Sequence, residues 1–145
     1  MLVLTFQARG VAYALAARDV LEVIPRVALR PVPLAPPAIT GLFAYRGTIA
    51  PCVDLGVLLG DGPCPDRFGS RIMVVALPGG RRAGLLAAGV TDVEAIEGRP
   101  EVPVRVPAAP FLSGVVVQGE RMVELVDPRG LISEELWALL VPEET

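Results

Sequence analysis

The stretch "GLFAYRGTIAPCVDLGVLL" at residues 41–59 returns in altered form as "GVVVQGERMVELVDPRGLI" at residues 114–132. The two align without a gap. Gly41 meets Gly114, Ile49 meets Met122, Val53-Asp54 meets Val126-Asp127, and Leu58-Leu59 meets Leu131-Ile132. Each copy reads as strand, turn, strand, aspartate, short helix. Asp54 suits the N-cap of a helix over 54–60 with Gly60 as its stop. Pro128, directly after Asp127, suits a first helical position and strengthens the same capping reading there. Repetition of this unit predicts a two-lobed β protein, each lobe a small closed or nearly closed sheet.

Strand signals dominate outward from the repeat. "LVLTFQ" (2–7) and "VAYALA" (11–16) predict a hairpin around Ala8-Arg9-Gly10, with Gly10 where positive φ is needed. "RDVLEVI" (18–24) allows one helical turn, but its β-branched residues pull its end toward strand. Residues 25–38 carry too many prolines for a helix or a central strand and predict an extended edge segment, then a loop. Residues 48–55 predict a strand in which Pro51 demands an edge position or a bulge, and 61–69 predict turn or loop. "RIMVVAL" (71–77) and "RAGLLAAGV" (82–90) are apolar strands around Pro78-Gly79-Gly80-Arg81. In 91–97, Val93 and Ala95 alternate approximately with Glu94 and Glu97, and 98–110 is again extended and proline-punctuated. Residues 111–127 predict a hairpin around Gln118-Gly119. A C-terminal helix follows near 134–141, capped by Ser133, with Leu136, Leu139 and Leu140 marking its buried face and Trp137 adjacent.

Composition narrows function by exclusion. The chain has 145 residues, just over half of them apolar, which allows a substantial core in one domain or two small lobes. A net charge of −3 gives no electrostatic footprint for nucleic acid or an anionic membrane. All basic residues are arginine, and there is no lysine, asparagine or histidine. Without histidine there is no Ser-His-Asp triad, no Cys-His dyad and no His-ligated zinc. Cys52 and Cys64 are too few for a four-cysteine metal site. Cys52 reads as a small core residue and Cys64 as part of a turn, with a disulfide between them left open. The N-terminus does not resemble a signal peptide and no apolar run reaches membrane-span length, so the expected location is the cytoplasm.

Chemistry is hard to find. Asp54 and Asp127 each have a structural task and no partner suited to general acid–base work. "PGGRR" (78–82) lacks Walker or Rossmann spacing, and a hairpin turn explains its glycines. Ser70, Ser113 and Ser133 lack an activating base. Neither a catalytic residue nor a metal or cofactor site is expected. Arg46 differs: on a loop before an edge strand, its five donors suit a partner's carboxylate. A solvated loop arginine or an intramolecular salt bridge explains it equally well.

At residues 41–60 the sequence resembles the CheW family, the coupling proteins of bacterial chemotaxis arrays. The family's pattern is approximately G-x-x-N-L-R-G-x-x-x-P-x-x-D-L, and Gly41, Arg46, Gly47, Pro51, Asp54 and Leu55 match it in register. Gly84, Gly89, Val90 and Val93 fit a second family pattern, and residues 111–132 a third, in order along nearly the whole chain. The chain departs at Ala44-Tyr45, where Asn-Leu is usual, and at Ala88, where Asp is frequent.

The resemblance implies a mainly β fold: two intertwined five-stranded SH3-like β-barrel lobes with short helices and a C-terminal helix. These would form a single CheW-like domain over 1–145, whose terminal elements return to the first lobe. It implies a non-enzymatic adaptor joining chemoreceptor cytoplasmic tips to the regulatory domain of a CheA-type histidine kinase. The receptor's helical hairpin would enter a groove between lobes. By position, Val20, Glu22, Arg46 and Gly84 match receptor-facing places, and the kinase-facing surface involves Ile49, Val53, Leu55 and Leu58. The protein would be cytoplasmic and held at receptor arrays by protein contacts, without membrane insertion. Two readings stay beside this one on the same fold: a regulator competing for array sites, and a component of a divergent motility or pilus pathway. A small β-barrel enzyme or ligand carrier is the alternative of another class.

Overall fold

The computed structural model describes residues 1–67, 69–98, 100–101 and 109–142. Ten strands run in chain order: β1 (Leu2–Ala8), β2 (Val11–Ala16), β3 (Val20–Ile24), β4 (Ile39–Tyr45), β5 (Thr48–Asp54), β6 (Arg71–Ala76), β7 (Arg82–Ala87), β8 (Glu94–Ala95), β9 (Leu112–Gln118) and β10 (Arg121–Val126). Helix α1 (Leu55–Leu58) follows β5 and α2 (Glu134–Leu140) follows β10. Within the 98–110 expectation, residues 99 and 102–108 lie outside the described residues, as does Phe68 of the 61–69 loop. No helix among the described residues is long and apolar enough to cross a membrane.

The strands form two five-stranded sheets with matching topology. One has the order β8-β1-β2-β10-β9 and is built from both ends of the chain; we call it the terminal lobe. The other, the inner lobe, has the order β3-β6-β7-β5-β4. In each, two antiparallel hairpins meet along a parallel seam, β2 with β10 and β7 with β5. Each sheet is also brought toward closure by the segment leaving its edge strand. Arg30 exchanges both backbone hydrogen bonds with Leu42 of β4, and Glu101 does the same with Val115 of β9. Arg30 and Glu101, one residue from each proline-rich segment, thus each pair with an edge strand and occupy backbone groups that would otherwise be open to pairing. These are the two SH3-like lobes implied by the sequence.

The repeat holds in atomic detail. Asp54 N–H donates to the Ala38 carbonyl and its counterpart Asp127 N–H to the Phe111 carbonyl, each at 2.7 Å. Thr40 Oγ1 donates to the Cys52 carbonyl at 3.2 Å, and Ser113 Oγ to the Leu125 carbonyl at 3.4 Å. A bulge falls at the same place in both hairpins, between Ile39 and Gly41 and opposite the Leu125–Val126 step.

Alternation along the strands divides the core. In β6, Ile72 and Val74 point into the inner lobe while Met73 and Val75 point to a core shared between the lobes. Both faces of β6 are therefore buried, which is why its sequence reads as one unbroken apolar run. From the terminal sheet, Leu4, Phe6 and Leu15 enter the shared core, and Val3, Ala14 and Val123 fill that lobe's own interior. Trp137 and Leu140 of α2 also reach the shared core. Arg81, on the β6–β7 turn, fastens that helix with two contacts to Glu134, at 2.8 and 2.9 Å, and lies 5.0 Å from the Trp137 ring.

Three expectations are corrected. Strand β5 is not an edge, because it lies between β4 and β7; Pro51 is tolerated there because β7 engages β5 only from Cys52 onward. In residues 91–97 it is Ile96 that is buried, at 1 % exposure, while Val93 is 54 % exposed. Only Glu94–Ala95 pair with β1, so the alternation there starts one residue later than the pattern suggested. In α2, Leu139 is 77 % exposed and the buried positions are Trp137 and Leu140. A helix this short presents one narrow stripe to the core.

Candidate functional site

The site begins with a two-residue turn. Tyr45 pairs with Thr48 across the β4–β5 hairpin, leaving Arg46 and Gly47 as the turn, with φ of 47° and 81°. Two successive left-handed residues make a type I′ turn, whose twist matches that of the flanking strands. Asn or Gly is the usual choice at the first position, yet the chain places arginine there, and again at Arg9 (φ 54°) before Gly10 (φ 68°). No added Cβ at Gly47 would meet a neighbour, so its glycine serves backbone conformation alone. Thr48 Oγ1 donates to the Tyr45 carbonyl at 2.9 Å and tightens the turn.

Arg46 is thereby lifted to one end of the inner lobe, its side chain 68 % exposed. Its Nη2 donates to Glu22 Oε2 at 3.1 Å, and the same oxygen accepts from the Tyr45 hydroxyl at 3.3 Å. The Arg46 guanidinium lies 5.3 Å from the centre of the Tyr45 ring, and that of Arg82 lies 5.6 Å from it. Tyr45 itself is buried and meets Phe43 edge-on, with ring centres 6.4 Å apart. Each exposed contact contributes little to stability, about 0.5–1 kcal/mol for an ion pair or a cation over a ring. Together they fix where Arg46 points.

Of the four receptor-facing candidates, the structure brings Glu22 and Arg46 into contact. Val20 lies on the same strand but faces elsewhere. A bulge at Leu21 lets Val20 sit opposite Val75 and lean on the shared core, while Glu22 sits opposite Val74 on the inner-lobe side. Gly84 is buried in β7, where a Cβ would stand 2.7 Å from Phe43 Cε1 and 2.8 Å from Ile72 Cγ2. Its bareness leaves room for the Phe43 ring, which meets Tyr45 edge-on, so Gly84 reaches the surface cluster through two rings.

Among the kinase-facing candidates, Ile49 is 59 % exposed, beside a shallow apolar hollow lined by Arg30, Leu42, Phe43 and Ala44. Val53 and Leu55 are buried in the shared core, and Leu58 is half-buried against it. The aspartates that end the two hairpins differ in depth. Asp54 is buried; its Oδ1 accepts from Gly56 N–H at 2.9 Å and Val57 N–H at 3.3 Å, and its Oδ2 from Cys64 N–H at 2.9 Å. Asp127 accepts from Arg129 N–H at 3.0 Å and pairs with the Arg129 side chain at 3.1 Å.

The two thiols are free and buried. Burial pushes Cys52 up to about 11 and also raises Cys64, so both stay protonated and unreactive near neutral pH. Among the described residues no group of three or more Cys, Asp or Glu side chains is placed to hold a metal ion. The "PGGRR" glycines, with φ of 77° and 74°, turn the β6–β7 hairpin, and its two arginines diverge, Arg81 to α2 and Arg82 to Tyr45. The Arg82–Tyr45 contact escaped sequence reading, because it joins residues far apart in the chain. Its only signal was a tyrosine where the resembling pattern has leucine.

Comparison with known proteins gives consistent results. Residues 2–136 match the family model described as a CheW-like domain. A chemotaxis protein CheW from Klebsiella aerogenes is 36 % identical over 111 residues, covering 72 % of this chain and 65 % of that relative. A probable chemotaxis protein CheW from Rhizobium etli is 29 % identical over 108 residues, covering 71 % and 68 %. The match therefore spans about two thirds of these relatives' length. The crystal structure of the scaffolding protein TtCheW from Thermoanaerobacter tengcongensis superposes with a TM-score of 0.78 at 27 % identity, covering 99 % of this chain and 91 % of that one.

Proposed function

The chain belongs to the CheW-like domain family, and on that premise we propose that it is a non-enzymatic adaptor. In this reading it works as one domain in the cytoplasm and couples the helical tips of chemoreceptors to the regulatory domain of a CheA-type histidine kinase. It is held at receptor arrays by protein contacts alone. The observation that carries the reading is the preorganised Arg46. A type I′ turn, Glu22 and the Tyr45 ring aim a solvent-facing guanidinium before any partner arrives. Val20, Glu22 and Arg46 are proposed to meet the receptor, with Gly84 setting the packing beneath them. Ile49 is proposed to meet the kinase domain, while Val53, Leu55 and Leu58 shape the wall behind it.

Calorimetric titration with the receptor hairpin and the kinase regulatory domain from the same genome tests this directly. Arg46→Glu is expected to weaken hairpin binding by about tenfold or more, through reversal of an interfacial charge. Its melting temperature should stay close to wild type, because exposed charges contribute little to stability. A fall of several degrees would make Arg46 a structural residue. Failure of the wild-type chain to bind either partner would end the adaptor reading.

A further inference from the structure

We infer that Arg82 is a specificity residue that receives an acidic side chain, Asp or Glu, from the receptor's helical hairpin; this rests on the adaptor reading above. Three charged groups surround Tyr45: Glu22, Arg46 and Arg82. Glu22 is committed to Arg46, at 3.1 Å, and to the Tyr45 hydroxyl. Arg82 has only the tyrosine ring, and among the described residues it forms no ion pair and no side-chain hydrogen bond. The cluster therefore carries one uncompensated positive charge.

Chemistry and position identify what completes it. A guanidinium beside an aromatic ring keeps its in-plane N–H donors for a second partner, and their fork fits a carboxylate with two parallel bonds. Arg82 is half-buried at the first position of β7, so part of its hydration is already removed and a paired carboxylate gains more there than at a fully exposed arginine. Its neighbour Arg81 shows the contrast, spending two contacts on Glu134 of the same chain. Arg82 and Arg46 share the Tyr45 ring, at 5.6 and 5.3 Å from its centre, so a helix reaching Arg46 passes within reach of Arg82.

The test uses the full chain and the tip hairpin of a receptor from the same genome, titrated against wild type, Arg82→Gln and Arg82→Lys. Arg82→Gln is expected to lose about tenfold in affinity for the hairpin, with a shallower salt dependence and unchanged affinity for the kinase regulatory domain. Arg82→Lys should recover only part of it, because the ammonium lacks the fork. One Asp or Glu of the hairpin, changed to its amide, should weaken wild type but not Arg82→Gln. Equal binding by wild type and Arg82→Gln overturns the inference while the adaptor reading stands. Equal loss toward both partners, or a lowered melting temperature, assigns Arg82 a structural role and overturns it as well. If wild type binds the hairpin not at all, both readings fall together.

Discussion

Asp54 and Asp127 end equivalent hairpins, and each donates its backbone N–H across an identical 2.7 Å bond. Beyond that frame the two regions part. Asp54 is buried and gathers three N–H groups, tying α1 to the loop that carries Cys64. Asp127 is partly exposed and holds a single 3₁₀ turn together with Arg129. The opposite ends of the hairpins differ as well. The inner lobe presents Arg46, packed with Tyr45, Glu22 and Arg82, whereas the terminal lobe turns at Gly119 with no side chain at the matching place. One backbone plan thus serves two purposes. The inner copy is locked from within and decorated at its tip, and the terminal copy mainly closes the fold.

That contrast can be broken by substitution. Asp54→Ala should be the most damaging change, costing about 3 kcal/mol, because a charged acceptor is lost and buried donors are left unpaired. Urea denaturation measures it, and thiol labelling should find Cys64 newly reactive as its loop loosens; a loss no larger than that of Asp127→Ala would erase the distinction. Gly84→Ala comes next, at about 2 kcal/mol, since the added methyl must displace Phe43 and Ile72. It should also weaken receptor binding by disturbing the Tyr45 cluster, which a titration beside the denaturation curve would show. Asp127→Ala should cost about 1 kcal/mol, the ordinary value of a lost helix cap.

The smallest effect lies in the terminal lobe. There Arg121 makes a two-point contact with Glu94, at 3.0 and 3.1 Å, joining β10 to the short edge strand β8. The Arg121 hydrogen bond holds the Glu94 carboxyl below its ordinary range, against the opposing pull of burial. A lowered native pKa gives stabilisation that is complete above the unfolded value and is lost as pH falls through the native one. Arg121→Ala should therefore cost less than about 1 kcal/mol at neutral pH. The difference from wild type should shrink below about pH 4, where carboxylates take up protons. Thermal melts at several pH values check this, and a difference that grows toward acid would contradict the pairing.

Much of this plan was legible in the sequence because it is local. The gapless match of 41–59 with 114–132 located both hairpins, both aspartates and the glycines at their bulges. Residues that act within a few positions, such as Ser133, whose Oγ accepts from Leu136 N–H, could be read one by one. What stayed hidden depends on strands far apart in sequence. The parallel seams of β2 with β10 and β7 with β5 leave no turn signal between the partners, so β5 could not be recognised as an inner strand. The bulge at Leu21 separated Val20 from Glu22, and Gly84 proved to be a packing glycine once Phe43 and Ile72 were placed against it. Family resemblance pointed to the right neighbourhood for Arg46. Only the assembled lobe revealed that Tyr45 also holds Arg82.

The two lobes also differ in when they can be completed. All five strands of the inner sheet lie between residues 20 and 87, whereas the terminal sheet needs β1 and β2 from the start of the chain and β9 and β10 from near its end. During synthesis the inner barrel can close while the chain is still growing, and the β1–β2 hairpin waits for its parallel partner until Val126 has emerged. In refolding, pulse-labelled hydrogen exchange should protect amides of β6 and β7 before those of β9 and β10. The lobe bearing the decorated tip is then the one built first, and the chain's two ends seal it afterward.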